Sequence, residues 1–145
     1  MNQYTHLDTA RNKLAKIWFI GGGIPFVLLI LQSILGKYGD NVEDAWTWFI
    51  PAVFPTLTLM VSVIGAAAMK PKEDRMVQGN FLALTKATSY AYLIALTLVM
   101  LMQPFSPYED PIKLFSISNY FLTPLQGIVV GALAFLFTSD TKPNE

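Results

Sequence analysis

The sequence predicts an all-α fold, a polytopic membrane protein built as an antiparallel bundle of four membrane-spanning helices with both termini cytoplasmic. Three observations predict it. Hydrophobic residues make up 53% of the 145 positions and charged residues only 14%, outside the range of soluble domains. The apolar residues gather into four long runs. Between the runs the charges alternate in kind, basic gaps following acidic ones. The whole sequence, residues 1–145, reads as one integral membrane domain.

The four runs are Leu14 to Leu35, Ala45 to Met69, Phe81 to Met102 and Leu114 to Phe137. Each is long enough to cross a hydrocarbon core of roughly 30 Å, for which ~20 helical residues suffice. A water-soluble bundle would need a polar face on every helix, and stretches such as Ile24 to Leu31 or Leu93 to Met102 offer none.

Ahead of the first run stand Arg11 and Lys13, with Lys16 at its start. Its basic start and apolar body resemble a cleavable leader, but the apolar part is too long. Ser33-Ile34-Leu35-Gly36 is also a poor cleavage site, so a retained helix is expected. Gly21-Gly22-Gly23 just before Pro25 marks its most deformable stretch. The gap that follows is acidic, with Asp40, Glu43 and Asp44 against Lys37. Asp44 is placed to cap the second helix. Trp48-Phe49-Ile50 with Pro55 echoes Trp18-Phe19-Ile20 with Pro25 at an offset of 30 residues. Interfacial tryptophan and intramembrane proline explain this recurrence without a duplication.

The gap between the second and third runs carries Lys70, Lys72 and Arg75. Lys86, the sole charge inside a spanning run apart from Lys16 at the edge of the first, is near enough to its start to snorkel to the interface, where it can meet an anionic headgroup. Gln103 closes that run. Glu109 and Asp110 face Lys113 in the last gap, and Asp110-Pro111 supplies a cap followed by proline at the first helical position. Lys142 follows the fourth run, so seven Lys/Arg on one side face Lys37 and Lys113, two, on the other. The positive-inside rule then puts both termini in the cytoplasm, the host being a cell membrane of the bacterial cytoplasmic type.

At about 100° per residue the polar and small side chains of each run fall into stripes. Ser116, Asn119, Thr123 and Gln126 share one on the fourth helix, and Pro51, Pro55, Thr58, Ser62 and Gly65 one on the second. The first contributes Gly21, Pro25 and Gln32, and the third Thr85, Ser89, Tyr92 and Gln103. Hydrocarbon offers these groups no hydrogen-bond partner, so the stripes are expected to face one another or a partner subunit. Such a seam either packs helices or lines a hydrated path, with Gln32, Thr58, Ser62, Asn119, Thr123 and Gln126 as its lining. Gly127 and Gly131 form a Gly-x-x-x-Gly step suited to close helix packing.

The sequence argues against several functions. It has no cysteine, and its single histidine, His6, is in the N-terminal tail. Thiol chemistry, intramembrane haem ligation and a histidine-based hydrolase are therefore not expected. No Asp or Glu lies inside a run, which argues against proton- or sodium-coupled export. No metal-ligand set, cofactor motif, nucleotide loop or nucleic-acid-binding pattern is present. The expectation is a non-enzymatic membrane protein, without cofactors, that acts by assembly as a homo-oligomer or as a membrane subunit of a larger complex, possible roles including a pore-forming effector. Two alternatives remain: an anchor that docks a cytoplasmic protein on the loop Lys70 to Gly79, and a binder of lipid or another apolar ligand through Trp46, Trp48, Tyr90 and Tyr92.

Overall fold

A computed structural model describes residues 4–69 and 74–138. Lys70, Lys72 and Lys142 of the basic side, and the start of the loop considered for docking, lie outside the described residues. The chain runs β1 (Tyr4–His6), α1 (Leu7–Ile34), α2 (Val42–Ala68), β2 (Met76–Gln78), α3 (Gly79–Met102) and α4 (Lys113–Thr138), with short 3-10 turns at Gly39–Asn41 and Gln103–Phe105. All four helices are long and apolar enough to cross a membrane. The chain is therefore all-helical apart from β1 and β2, with the multi-pass pattern expected.

Helix ends differ from the sequence reading for local reasons. The tail from Leu7 to Lys13 is helical, so α1 extends about 10 Å beyond the apolar run that begins at Leu14. Its buried positions, Leu7, Ala10, Arg11, Leu14, Ala15, Trp18, Gly22, Pro25, Leu29 and Gln32, keep one three-four spacing from end to end. At its far end Gly36, with φ +68°, forms a Schellman stop. The Lys37 N–H donates to the Gln32 carbonyl at 2.9 Å and the Gly36 N–H to that of Ser33 at 3.2 Å. Asp44 lies within the first turn of α2 instead of capping it, because the helix already begins at Val42 behind Asn41. Asp110 is not the cap either: its Oδ1 accepts the Ile112 N–H at 2.9 Å in a turn with Pro111 between them, and α4 begins only at Lys113, so Pro111 is not its first residue.

The tail and the α2–α3 connection form a ribbon that the apolar pattern gave no hint of. Tyr4, Thr5 and His6 pair antiparallel with Gln78, Val77 and Met76, and the Leu7 N–H donates to the Arg75 carbonyl at 2.8 Å. His6 is exposed, as expected of a tail residue.

In the bundle α1 packs on both α2 and α3, and α4 on both α2 and α3, so the order around it is α1, α2, α4, α3. Two cross-links, one near mid-helix and one near the C-terminal ends, align α1 with α3. The Trp18 indole donates to Ser89 Oγ at 3.1 Å, and the Gln32 amide to the Met100 carbonyl at 2.8 Å. Close approach depends on two glycines of α1. A Cβ on Gly21 would stand 2.6 Å from Leu93 Cδ1 of α3, and one on Gly22 would stand 3.0 Å from Val53 Cγ1 of α2. Trp18, Phe49, Tyr92, Phe115, Met60 and Leu133 fill the core. Ile20, Ile24, Ile128 and Phe135 are exposed on the outside, as lipid requires and water would not.

Two of the four polar stripes face inward. Thr85, Ser89, Tyr92 and Gln103 of α3 are all buried, as are Pro25 and Gln32 of α1. The α2 stripe points the other way. Its buried face runs Ala45, Phe49, Val53, Thr56 and Met60, and Pro51, Pro55, Thr58, Ser62 and Gly65 are all exposed. In α4 the buried set Phe115, Ser118, Leu122, Val129, Leu133 and Leu136 leaves Ser116, Asn119 and Thr123 exposed and Gln126 half-buried, one position round. The expected seam joining all four helices is corrected to an inner part on α1 and α3 and an outer part on α2 and α4. The reason is volume: phenylalanine, leucine and methionine fill the interior, and small side chains are left outside. The recurring Trp-Phe-Ile motif likewise has no common environment, since Phe19 is exposed and Phe49 buried.

Candidate functional site

The outer part of the seam is built around a proline. Pro55 has no N–H, so the Pro51 carbonyl, four residues earlier in α2, loses its helical donor. Gln126 of α4 takes that place: its Nε2 donates to Pro51 O at 3.0 Å and, more weakly, to Ala52 O at 3.4 Å. From the inside the Tyr92 hydroxyl donates to the same Ala52 carbonyl at 3.0 Å, while its ring stacks on Trp18 at 5.7 Å. One helical distortion thus ties α2 to both α3 and α4.

One turn before Pro51, Trp48 lies flat on Phe115, with ring centroids 4.3 Å apart and planes 7° from parallel. This places its Nε1 to donate to Asn119 Oδ1 at 3.1 Å. The two amides are thereby oriented. Asn119 uses its oxygen and Gln126 its nitrogen, which leaves the Asn119 NH2 donor and the Gln126 Oε1 acceptor without a partner among the described residues. Trp48, Pro51, Asn119, Thr123 and Gln126 line a groove of about 280 Å³ between α2 and α4. A second hollow of about 370 Å³, lined by Pro55, Thr56 and Val130, continues from Gln126 along the same helix pair. The site is a furrow on the outside of the bundle, with polar groups where the neighbouring surface is apolar.

Of the residues expected to line a seam, Asn119, Thr123 and Gln126 meet in this furrow. Thr58 and Ser62 continue along the outer face of α2, the Ser62 hydroxyl donating back to Thr58 O at 2.8 Å. Gln32 does not belong with them. It is buried inside the bundle near the C-terminal end of α1, where its Oε1 accepts from the Tyr38 hydroxyl and its Nε2 donates to the Met100 carbonyl. Burial pushes the Tyr38 phenol well above its ordinary pKa, so it remains a donor throughout the physiological range. Gln32 is thus a satisfied bridge that closes its end of the bundle. Gln103 is buried nearby, with Nε2 donating to Pro111 O at 3.3 Å and its Oε1 unpaired.

Gly127 and Gly131 are exposed with no atom of another helix near them, so within one chain the close-packing role passes to Gly21 and Gly22. Lys86 is half-buried, two turns into α3. Arg11, read from sequence only as a topology charge, is 3% exposed. Its guanidinium donates to the carbonyls of Leu136 at 3.0 Å and Phe137 at 3.4 Å, capping the negative end of the α4 dipole. The spacing Leu7, Arg11, Leu14, Trp18 carried that signal, but only to a reader who starts the helix at Leu7. Trp48 and Tyr92, considered above as contacts for an apolar ligand, are hydrogen-bond donors here, Trp48 to Asn119 Oδ1 and Tyr92 to Ala52 O.

Comparison with protein-family models, curated proteins and solved structures finds no match.

Proposed function

We propose that this chain is a non-enzymatic multi-pass membrane protein that acts by lateral assembly with further copies of itself, through the furrow between α2 and α4. Successive helices cross the bilayer in alternating directions, with both termini on the cytoplasmic side of a bacterial cytoplasmic membrane. One observation carries the reading: an amide donor on Asn119 and an amide acceptor on Gln126 stand unpaired on a surface that otherwise faces hydrocarbon. Lipid tails cannot satisfy either, and an unmet amide there costs on the order of several kcal/mol. A second copy brings the matching groups. Around the amides, Thr58, Ser62, Gly127 and Gly131 are small enough to let helices approach, the composition by which membrane helices associate.

A closed ring assembled on this face would put Asn119, Thr123 and Gln126 near its axis, which is the arrangement of a pore-forming or membrane-perturbing subunit. Within one chain the inward polar groups are tied up pairwise, Trp18 with Ser89 and Gln32 with Met100 and Tyr38, which favours a path between copies over one through the bundle.

The chain has no cysteine, so a single introduced thiol reports on one position. Under mild oxidation in membranes, Thr123→Cys should give a disulfide-linked dimer and Ile20→Cys, exposed on α1, should not. Adding Asn119→Leu and Gln126→Leu to Thr123→Cys should remove the dimer while insertion is kept. Equal cross-linking of Thr123→Cys with and without the two leucines would overturn the assembly reading. Membrane potential in expressing cells tests the pore: depolarisation that the double leucine variant abolishes supports it, and depolarisation that persists refutes it.

A further inference from the structure

We propose that the opposite side of the bundle, the groove between α1 and α3, holds an anionic phospholipid, with its phosphodiester at Lys16 and Lys86 and an acyl chain along the groove. The site is separate from the α2–α4 furrow and rests on different residues. It is a hollow of about 510 Å³, lined among others by Lys16, Ile20, Gly21, Tyr90, Leu93 and Leu98. Its floor exists because Gly21 has no side chain and Leu93 occupies the position a Cβ would take. From Lys16 to Ile24 on α1, and from Tyr90 to Leu98 on α3, it runs about 12 Å along the two helices. Thr97 would interrupt this apolar wall, but its hydroxyl donates back to Leu93 O at 2.7 Å and is used up there. The hollow is therefore long, narrow and apolar, the shape and chemistry of an acyl chain.

Charge identifies the headgroup. The Trp18–Ser89 hydrogen bond sets the two helices in register, and counting back two residues on α1 and three on α3 brings Lys16 nearly level with Lys86. Lys86 also precedes Tyr90 by one turn, hence on the same side of α3. Lys16 and Tyr90, whose hydroxyl has no partner among the described residues, thus line one mouth of the groove, and Lys86 stands one turn before Tyr90, just beyond the lining, within a lysine side chain's reach of that mouth. No carboxylate competes for them within these helices. The α3 helix has no acidic residue, and the only one in α1 is Asp8, two turns before Lys16. The polar groups stand at one end and the apolar wall extends from there toward mid-bundle, so the arrangement matches a lipid of the leaflet nearest the termini. A headgroup of net negative charge is preferred over a zwitterionic one, because the choline of the latter brings a cation to two lysines.

The test is native mass spectrometry of the full-length protein, released from nonionic detergent containing equimolar dioleoyl phosphatidylglycerol and dioleoyl phosphatidylcholine. Wild type should carry phosphatidylglycerol enriched roughly tenfold over phosphatidylcholine, the ratio that about 1.4 kcal/mol of headgroup selectivity gives. Lys16→Gln with Lys86→Gln should lose that enrichment. Ile94→Trp, a larger ring at a position lining the groove and 57% exposed, should lower retention of both lipids while elution volume and helicity stay as in wild type. Equal retention of the two lipids by wild type, or unchanged enrichment in the lysine double variant, would overturn the proposal. So would full lipid retention by a folded Ile94→Trp protein.

Discussion

If Gln126 replaces the helical donor that Pro55 removes, the value of the glutamine should depend on the proline. Replacing Gln126 by Leu deletes a 3.0 Å hydrogen bond to Pro51 O and a weaker one to Ala52 O. Interhelical hydrogen bonds in membranes average ~0.6 kcal/mol and reach ~1.7 kcal/mol. This one belongs near the top of that range, because its acceptor has no helical N–H to return to and no water within the bilayer. We expect Gln126→Leu to destabilise the monomer by about 1.5 kcal/mol. In a Pro55→Ala background, residue 55 regains an N–H for Pro51 O, and the same change should cost only about 0.5 kcal/mol. The coupling, about 1 kcal/mol, is within reach of a double-mutant cycle. The assay is reversible unfolding in mixed micelles, followed by tryptophan emission, at a protein-to-micelle ratio low enough to keep the protein monomeric. Equal costs for Gln126→Leu in the two backgrounds would show that Gln126 does not stand in for the donor that Pro55 removes.

The Arg11 clamp on α4 predicts that Arg11→Met loses about 2 kcal/mol: two charge-assisted bonds disappear, partly offset by relief of a buried charge. Hydrogen exchange should accelerate in the last turn of α4, and Arg11→Lys should recover only part of the protection because it lacks the guanidinium fork. At the glycines the outcomes should diverge. Gly21→Ala, driven against Leu93 Cδ1 at 2.6 Å, is expected to cost about 1–3 kcal/mol. Gly131→Ala meets nothing within the chain and should leave the same monomer unfolding curve unchanged or shift it slightly toward stability.

Much of the chain's organisation can be read one residue at a time. The four apolar runs, the Asp110 turn ahead of α4 and the absence of intramembrane acids are local properties of the sequence, and hydrophobic length sets the first of them. The three-four spacing also carried the α3 stripe correctly, because Thr85, Ser89 and Tyr92 are flanked by bulky neighbours on both sides and only one face can be buried. The same reasoning failed for α2. Its interior face, Phe49, Val53 and Met60, is the more apolar one and its polar and small residues lie outside, so the rule that polar groups turn inward in hydrocarbon misplaced them. In water the polar face marks the outside of a helix; in lipid that rule is not available, and packing volume makes the choice.

Composition and hydrophobic length alone make this protein helical, give it four helices able to cross a membrane, and leave any chemistry of these residues without cysteine or intramembrane carboxylates. Where the polar groups point is settled by the packing of the four helices against one another. It separated Gln32 from Asn119 and Gln126, moved the packing glycines from α4 to α1, and turned Arg11 from a surface charge into a buried cap. Each of those outcomes depends on a partner distant in the chain, 125 residues away for Arg11 and Leu136 and 75 for Gln126 and Pro51. Such pairings follow from how four helices share one interior, and a pattern confined to a single helix does not contain them.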